Sequence, residues 1–546
     1  PCSFYILFPH LCIWHKCIHA ELGASSTGWC CMPSVVVFFE VHQPYRLNRR
    51  MHEKLISRAL SGRLDLIDLE EIVFDNELNR RVIERVADKC YLPATRIIVE
   101  NIEKYKSTSK PFKVTFSLSG VFLEQAMKWR PDVVDLFKKA VDTGFVELAE
   151  QTYYHSVVAF MPYYGLEELA EQVNEHRRIT EETFGYRPVT VENTEFTYNN
   201  ELACFLYRLG FKVMLTEGVD WVLGWRSPNY VYRADGCDMR VLTRNYRLSD
   251  DVGFRFSDRR WDQYPLTADK YAAWLSATPG DVVFIAMDYE TFGEHHWPET
   301  GIYEFLRWLP GEVLKYGNLE FLSTSEAAFK YPARDVLSVP WWSTISWADE
   351  RDLSAWLGNT MQQTAFNLVT DLRPYVKAVE KPELTRLWKL LTISDHYYYM
   401  ATKFGAMGEV HAYFSPYKDA SVAYGLLMEV AGLLVKLVAD EIRANKTRVL
   451  SKLVLPQHKA FYFNMPTGEF TGYSARSLPE FLEMLEKVPA ESFIYHLNRG
   501  DFENWLRQVF FLEDEAEEIS RVRQQPGSYQ EKLTGVARVI RRALGV

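Results

Sequence analysis

Nowhere in its 546 residues does the chain gather a block of basic charge: 62 Lys and Arg stand against 72 Asp and Glu, for a formal net charge of -10. Capture of nucleic acid or of an anionic membrane surface relies on such a block, so neither is expected as a main partner. Cysteine is scarce past the N-terminus. Of the eight, Cys2, Cys12, Cys17, Cys30 and Cys31 crowd the first 31 residues, and only Cys90, Cys204 and Cys237 follow. Three scattered cysteines do not make a disulfide framework. No later segment reaches ~20 uninterrupted apolar residues; the longest candidate, Ala423 to Val438, carries Glu429 and Lys436 and reads as a buried bundle helix. Also missing are a glycine-rich phosphate loop, a zincin helix motif, a G-x-S-x-G elbow and a paired C-x-x-C. Nucleotide binding and serine-nucleophile chemistry lose weight accordingly. Internal repeats and low-complexity tracts are absent too.

What is present is the mix of a folded protein, 47% hydrophobic and 25% charged. The length allows about three or four domains. Aromatic residues are plentiful, with 15 Trp, 31 Tyr and 33 Phe; they serve either packing or flat stacking surfaces for sugar rings. Residues 1–31 show neither helical nor strand period, while Met32 is followed at once by a strand pattern, so Met32 reads as the natural start. A secretory signal fits less well, because a basic leading segment is missing and the apolar part is broken by His10, His15 and Lys16. A cytoplasmic protein is the expectation.

From Ser34 to Thr324 short β-branched runs alternate with amphipathic stretches such as Leu166 to Phe184. The runs are Val35 to Val41, Lys113 to Leu118, Val146 to Leu148, Val189 to Val191, Val213 to Thr216 and Val282 to Met287. Their continuous apolarity suits strands buried on both faces, the βαβ rhythm of an α/β barrel or an open parallel sheet. Polar groups follow these runs: His42, Gln43 and Pro44, then Glu150, Glu192 and Glu195, Glu217, and Asp288 with Glu290. In a parallel barrel all strand ends point to one face, where the chemistry sits. Two insertions, around Leu55 to Tyr105 and Tyr230 to Tyr264, are expected to wall that cleft. The reading divides the chain into a leader (1–31), a barrel (32–330), a Pro-bearing linker (Tyr331 to Pro340), a helical domain (341–449) and a small α+β module (450–546). In that module Gly500 and Asp501 read as a helix N-cap.

The candidate chemistry lies in carboxylates. Glu195 and Asp288 stand just beyond two of the strongest strand patterns, and glycosidic hydrolysis needs such a pair, one to attack the anomeric carbon and one to donate a proton. Surface loops are rich in acidic residues, so spacing alone does not settle the matter. The motifs carry further. Phe39-Glu40-Val41-His42-Gln43-Pro44-Tyr45, Gly144-Phe145-Val146-Glu147, Glu192-Asn193-Thr194-Glu195-Phe196, Asp288-Tyr289-Glu290-Thr291-Phe292-Gly293 and, in the helical region, Ser354-Ala355-Trp356-Leu357-Gly358-Asn359 with Ser394-Asp395-His396-Tyr397 occur in that order. Together they resemble glycoside hydrolase family 57, in particular its α-amylase-like branch. Glu192 departs from the family pattern beside Asn193, and a second His follows His295.

That resemblance implies an incomplete seven-stranded parallel (β/α)7 barrel, a helical bundle that completes the cleft, and a retaining mechanism with Glu195 as nucleophile and Asp288 as general acid/base. It implies substrate-binding roles for His42, Glu147, His295, Asp395 and His396, with Trp221 and Trp356 as stacking candidates. Glu150 competes with Glu147 for its role. No metal or other cofactor is expected, and the partner is an α-glucan such as starch, glycogen or maltodextrin. A 4-α-glucanotransferase or branching enzyme would use the same chemistry. A metal-dependent polysaccharide deacetylase would need ligands drawn from His42, Asp288, His295 and His296, but no His-x-x-x-His pair stands in the barrel and Glu195 would have no role. A non-catalytic glucan-binding protein is the remaining alternative.

Overall fold

The structure is a computed structural model that describes residues 33–60, 66–403 and 413–546. The leader and Met32 lie outside the described residues.

Two five-stranded sheets form the α/β part. The first runs β3 (Val146–Ala149), β2 (Val114–Leu118), β1 (Ser34–Val41), β8 (Val282–Asp288), all parallel, with β9 (Glu320–Phe321) paired to the start of β1. The second runs β10 (Asp335–Leu337), β6 (Val231–Ala234), β7 (Arg240–Arg244), β5 (Val213–Glu217), β4 (Thr190–Glu192). Only its β6–β7 pair is antiparallel. The parallel sheets agree with the expected α/β class, but the strand pairing gives two sheets and does not resolve the incomplete seven-stranded barrel that the family resemblance implies. The sheets are linked at both ends, by a parallel bridge of Glu150 to Val191 and by the Asn245 N–H donating to the Phe284 carbonyl at 2.8 Å.

All six apolar runs become strands. The insertion expected between Tyr230 and Tyr264 holds two more, and the linker after Tyr331 holds β10. The insertion has the strand-like, turn-rich character expected of it, but Arg240-Val241-Leu242-Thr243-Arg244 does not stand out as a separate run because charges at both ends hide a short apolar centre. Strand β1 shows why the runs are apolar throughout. Val35, Val37, Phe39 and Val41 pack outward under the covering helices, whereas Val36 and Phe38 face a second core with Phe196, Val213, Leu215, Leu242 and Phe284. Phe38 meets Phe196 edge-on at 5.4 Å between ring centroids.

The helical part is built on Thr360–Val379, Pro382–Leu390 and Ala420–Ala444. Among the described residues, Ala420–Ala444 is the one helix long and apolar enough to cross a membrane. Its Leu427, Val430, Leu434, Val438 and Ile442 are buried in the core. That same core continues without a break into the C-terminal module, through Phe461, Phe463, Phe481 and Trp505. Residues Ser492 to Tyr495 lie inside the helix Ala490–Arg499. Gly500 caps the next helix, Asp501–Phe510, with φ 75°, a conformation glycine adopts without strain. Cys204, in the helix Asn200–Arg208, forms a disulfide with Cys237 in the turn after β6, and Cys90 is buried and free.

Phe38 is fully buried beneath the strand ends. Phe38→Ala is expected to lower the unfolding free energy by about 3–5 kcal/mol in equilibrium denaturation, with loss of the ring beneath Phe196 also blunting any activity that depends on Glu195.

Candidate active site

Alternation along each strand decides which side chains face the interior, and at the C-terminal ends that layer turns polar: Glu40 and Ser117 stand one residue before the ends of β1 and β2, and Glu192, Glu217, Arg244 and Asp288 end β4, β5, β7 and β8. Immediately after β4 the chain makes a tight turn, Thr194–Phe196, in which Glu195 (φ 63°) and Phe196 (φ 55°) adopt the left-handed region. Such backbone costs non-glycine residues about 1–3 kcal/mol and clusters at functional sites. Here it turns the Glu195 carboxylate toward donors from distant parts of the chain.

Three donors grip it. Trp347 gives its indole N–H to Oε2 at 2.7 Å, the Ser394 hydroxyl donates to Oε1 at 3.1 Å, and His155 Nε2 stands 3.4 Å from Oε1. The other His155 nitrogen, Nδ1, donates to Gln151 Oε1 at 2.7 Å. Burial alone would lower the His155 imidazole, but the bond to Glu195 and the charges of Glu40, Glu195 and Asp395 outweigh it and raise it to about 9. His155 is thus an imidazolium at neutral pH, donating from both nitrogens.

His42 stacks on His155 with ring centroids 4.1 Å apart. Burial and the His155 charge push His42 down to about 4, so it is neutral. Its Nε2–H donates to Asp395 at 3.0 Å and its Nδ1 accepts from Ser119 at 2.8 Å. Burial opposes ionisation of Asp395, but His42, His155 and Arg46 overcome it and hold this carboxyl well below the usual range. Asp288 is the contrast. Burial, reinforced by the Glu195 charge, raises it to about 7, beyond what His155 and Arg244 offset. Glu290, held by Tyr91 and by Gln43 at 3.3 Å, is raised to about 8 by burial and by Asp288.

Behind the nucleophile candidate lies a second acidic pair. Gln151 Nε2 donates to Glu40 at 2.8 Å and to Ser117 at 2.7 Å, and Ser117 donates to Glu192 at 3.2 Å. One oxygen of Glu40 and one of Glu192 have no partner, and burial raises both carboxyls, Glu192 to about 7. Glu40, His155 and Glu192 each offer a ligand atom within 4.8 Å of the others, the arrangement here with most potential to hold a metal ion. Both His155 nitrogens already serve Gln151 and Glu195, however, and an imidazolium is no ligand. The acidic pair fits a shared proton better.

The other expected residues have different surroundings. Glu147 points inward one layer deeper, where its carboxylate accepts from Thr190, from the Ser325 backbone at 2.8 Å and from the Ser325 hydroxyl at 2.9 Å, anchoring a helix start. Glu150 is tied to His176. Trp356, 1% exposed, has no free face for a sugar. Trp221 is 60% exposed on the short helix after β5. His295 stands edge-on to Phe414 at 5.4 Å, and His296 bonds Ser257 and the Gly253 carbonyl. His396 is buried beside Asp395, and burial lowers it to about 4. The roles of His155, Gln151, Trp347, Ser394 and Glu40 were not read from the sequence. Glu40 was legible in principle, since it continues the inward parity of Val36 and Phe38.

Asp288 carries a consequence for stability. Between the usual carboxylate range and pH about 7 the folded chain holds a proton that the unfolded chain has released, so stability falls as pH rises through that window. Asp288→Asn cannot ionise. It is expected to melt above the wild type at pH 8, with the gap closing toward pH 4; a gap independent of pH would contradict the raised proton affinity.

The sequence profile of Glycosyl hydrolase family 57 matches residues 36–340. The chain is 45% identical over 402 residues to a "Putative alpha-amylase" of Methanocaldococcus jannaschii, covering 72% of this chain and 82% of that one. It is 25% identical over 272 residues to an alpha-amylase of Pyrococcus furiosus, 47% of this chain and 38% of the other. In fold it is similar to a GH57-type branching enzyme from Pyrococcus horikoshii, with TM-score 0.54 and 13% identity over 77% of this chain and 94% of that one. The profile spans more than half of the chain and the 45% identical relative is covered over most of its length: the chain belongs to glycosyl hydrolase family 57 and is a glycoside hydrolase.

Proposed function

We propose that the chain is a retaining α-glucan hydrolase of the α-amylase type, with Glu195 as nucleophile and Asp288 as general acid/base. The observation that carries this is the unequal treatment of two carboxyls in one cleft. Glu195 is surrounded by three donors that stabilise its anion, whereas Asp288 is buried and raised to about 7 by burial and by the Glu195 charge. A nucleophile must be ionised and an acid must hold its proton, and environments that push two carboxyls apart assign the two roles.

In the first step Glu195 attacks the anomeric carbon, the glycosidic bond breaks, and the Asp288 proton passes to the departing oxygen. A glycosyl ester on Glu195 results. In the second step Asp288, now a carboxylate, takes a proton from water, whose oxygen displaces Glu195 from the anomeric carbon. His155 holds one oxygen of the attacking carboxylate, and Trp347 holds the other. Asp395 reaches the cleft from the helical part through His42, so both parts of the chain build the substrate site. The amylase names of the sequence relatives favour an α-1,4-glucan as substrate. A transferase would differ only in the acceptor of the second step.

We also read the parallel strands as the family's incomplete barrel. Following pairs and links gives the circuit β1, β2, β3, β4, β5, β7, β8 and back to β1, with β6 and β10 as an outer flap. That circuit has seven strands.

Incubation with maltoheptaose tests the activity. Shorter sugars alone are expected; longer products would mean transfer, and an unchanged substrate would overturn the reading. Roles are tested by azide. Glu195→Ala is expected to give a β-glycosyl azide from an α-configured substrate, and Asp288→Asn an α-glycosyl azide from an activated aryl maltoside. Each variant should lose several orders of magnitude on starch. Reversed azide configurations would exchange the two assignments. In wild type the alkaline limb of kcat/KM should fall near pH 7, where Asp288 loses its proton.

A further inference from the structure

The segment after β10 returns across the strand ends and runs beside the turn that carries Glu195. Ile345 and Tyr198 form an antiparallel bridge with N–H to carbonyl distances of 3.0 and 3.1 Å. The Trp347 backbone N–H then donates to the Glu195 carbonyl at 3.2 Å, while its indole N–H holds the Glu195 carboxylate and its ring stacks on Phe196 at 4.7 Å. Four residues on, Arg351 turns back with φ 60°, a left-handed backbone that an arginine adopts only when its surroundings impose it. Its Nη1 donates to the Trp347 carbonyl at 2.8 Å and to Glu217 Oε2 at 2.7 Å.

Glu217 is a fixed post. Its side chain is fully buried, its Oε1 accepts from the Gly218 N–H at 2.7 Å, and its Oε2 also accepts from Arg244 at 2.9 Å. Arg244 in turn donates to the Ala286 carbonyl at 2.7 Å and to Asp250 at 2.6 Å, and its guanidinium lies 5.8 Å from the centre of the Trp347 ring. None of these contacts brings Arg351 onto Glu195 itself; the connection runs through the peptide of Trp347.

We propose that Arg351 is a positioning residue for Glu195, which locks Trp347 against the β5 and β7 ends by bridging its carbonyl to Glu217. The inference rests on the reading of Glu195 as nucleophile. An apolar chain of equal length cannot replace the bridge, because one nitrogen must donate to a carbonyl and a carboxylate together.

A double-mutant cycle on an activated aryl maltoside tests it, with Trp347→Phe, Arg351→Met and the pair. Trp347→Phe is expected to lower kcat roughly 100-fold and Arg351→Met about 10-fold or more, with KM shifting less than about threefold. The double variant should be no slower than Trp347→Phe alone. Losses that multiply, or that fall mainly on KM, would overturn the proposal. A second readout does not need turnover: in protein carrying 5-fluorotryptophan, the fluorine resonance missing from Trp347→Phe identifies Trp347, and it should move in Arg351→Met. An unmoved resonance would also overturn the proposal. If Arg351→Met does not fold, Arg351→Gln enters the same cycle. Wild-type protein that turns over no α-glucan would instead defeat the functional reading, and the fluorine measurement would then show whether the contact exists without it.

Discussion

The Glu195 carboxylate sits among other buried carboxyl groups, and the site depends on the donors that the fold brings to its two oxygens. Glu40, Glu192, Asp288 and Glu290 are all pushed upward, first of all by burial. Against that trend Glu195 receives an indole N–H, a hydroxyl and an imidazolium. These come from the segment after β10, from the helical part and from the loop after β3, so the grip exists only when all three are assembled. His155 also donates to Gln151, which joins it to the buried Glu40 and Ser117. A fixed array of dipoles and one cation costs no reorganisation when charge moves in a reaction, which is how such sites lower barriers.

That crowding explains the layering beneath it. Strand alternation puts Val36, Phe38 and then Glu40 on the inner face of β1, and Val282, Phe284, Ala286 and then Asp288 on that of β8. On β1 and β8 the lower layers are aromatic and aliphatic, while the top one is polar. A dry floor keeps the dielectric low under the carboxyls, so the same burial that raises Asp288 strengthens the bonds to Glu195.

Much of this was legible in the chain. Six strands, the helix Gly165–Phe184 and the positions of Glu195 and Asp288 at strand ends followed from apolar runs and the residues behind them. Strand β7 did not, because Arg240 and Arg244 bracket only a short apolar core, and Arg244 is charged precisely where it pairs with Glu217 inside the fold. Glu147 and Trp356 show the opposite failure. Motif membership pointed to the cleft, yet inward parity sets Glu147 one layer down, and an apolar helical core encloses the Trp356 ring. Trp347 was one tryptophan among many in the sequence. Only the fold reveals that its indole meets a carboxylate 152 residues earlier.

The central claim is that Glu195 forms the covalent bond to the sugar. Incubation with a 5-fluoro-α-maltosyl fluoride slows both steps, and the ester decays more slowly than it forms, so intact-protein mass spectrometry should show one added fluoromaltosyl group. Peptide mapping should place it on Glu195. A label on Asp288, or turnover of a good substrate with inverted configuration and no label at all, would contradict the account.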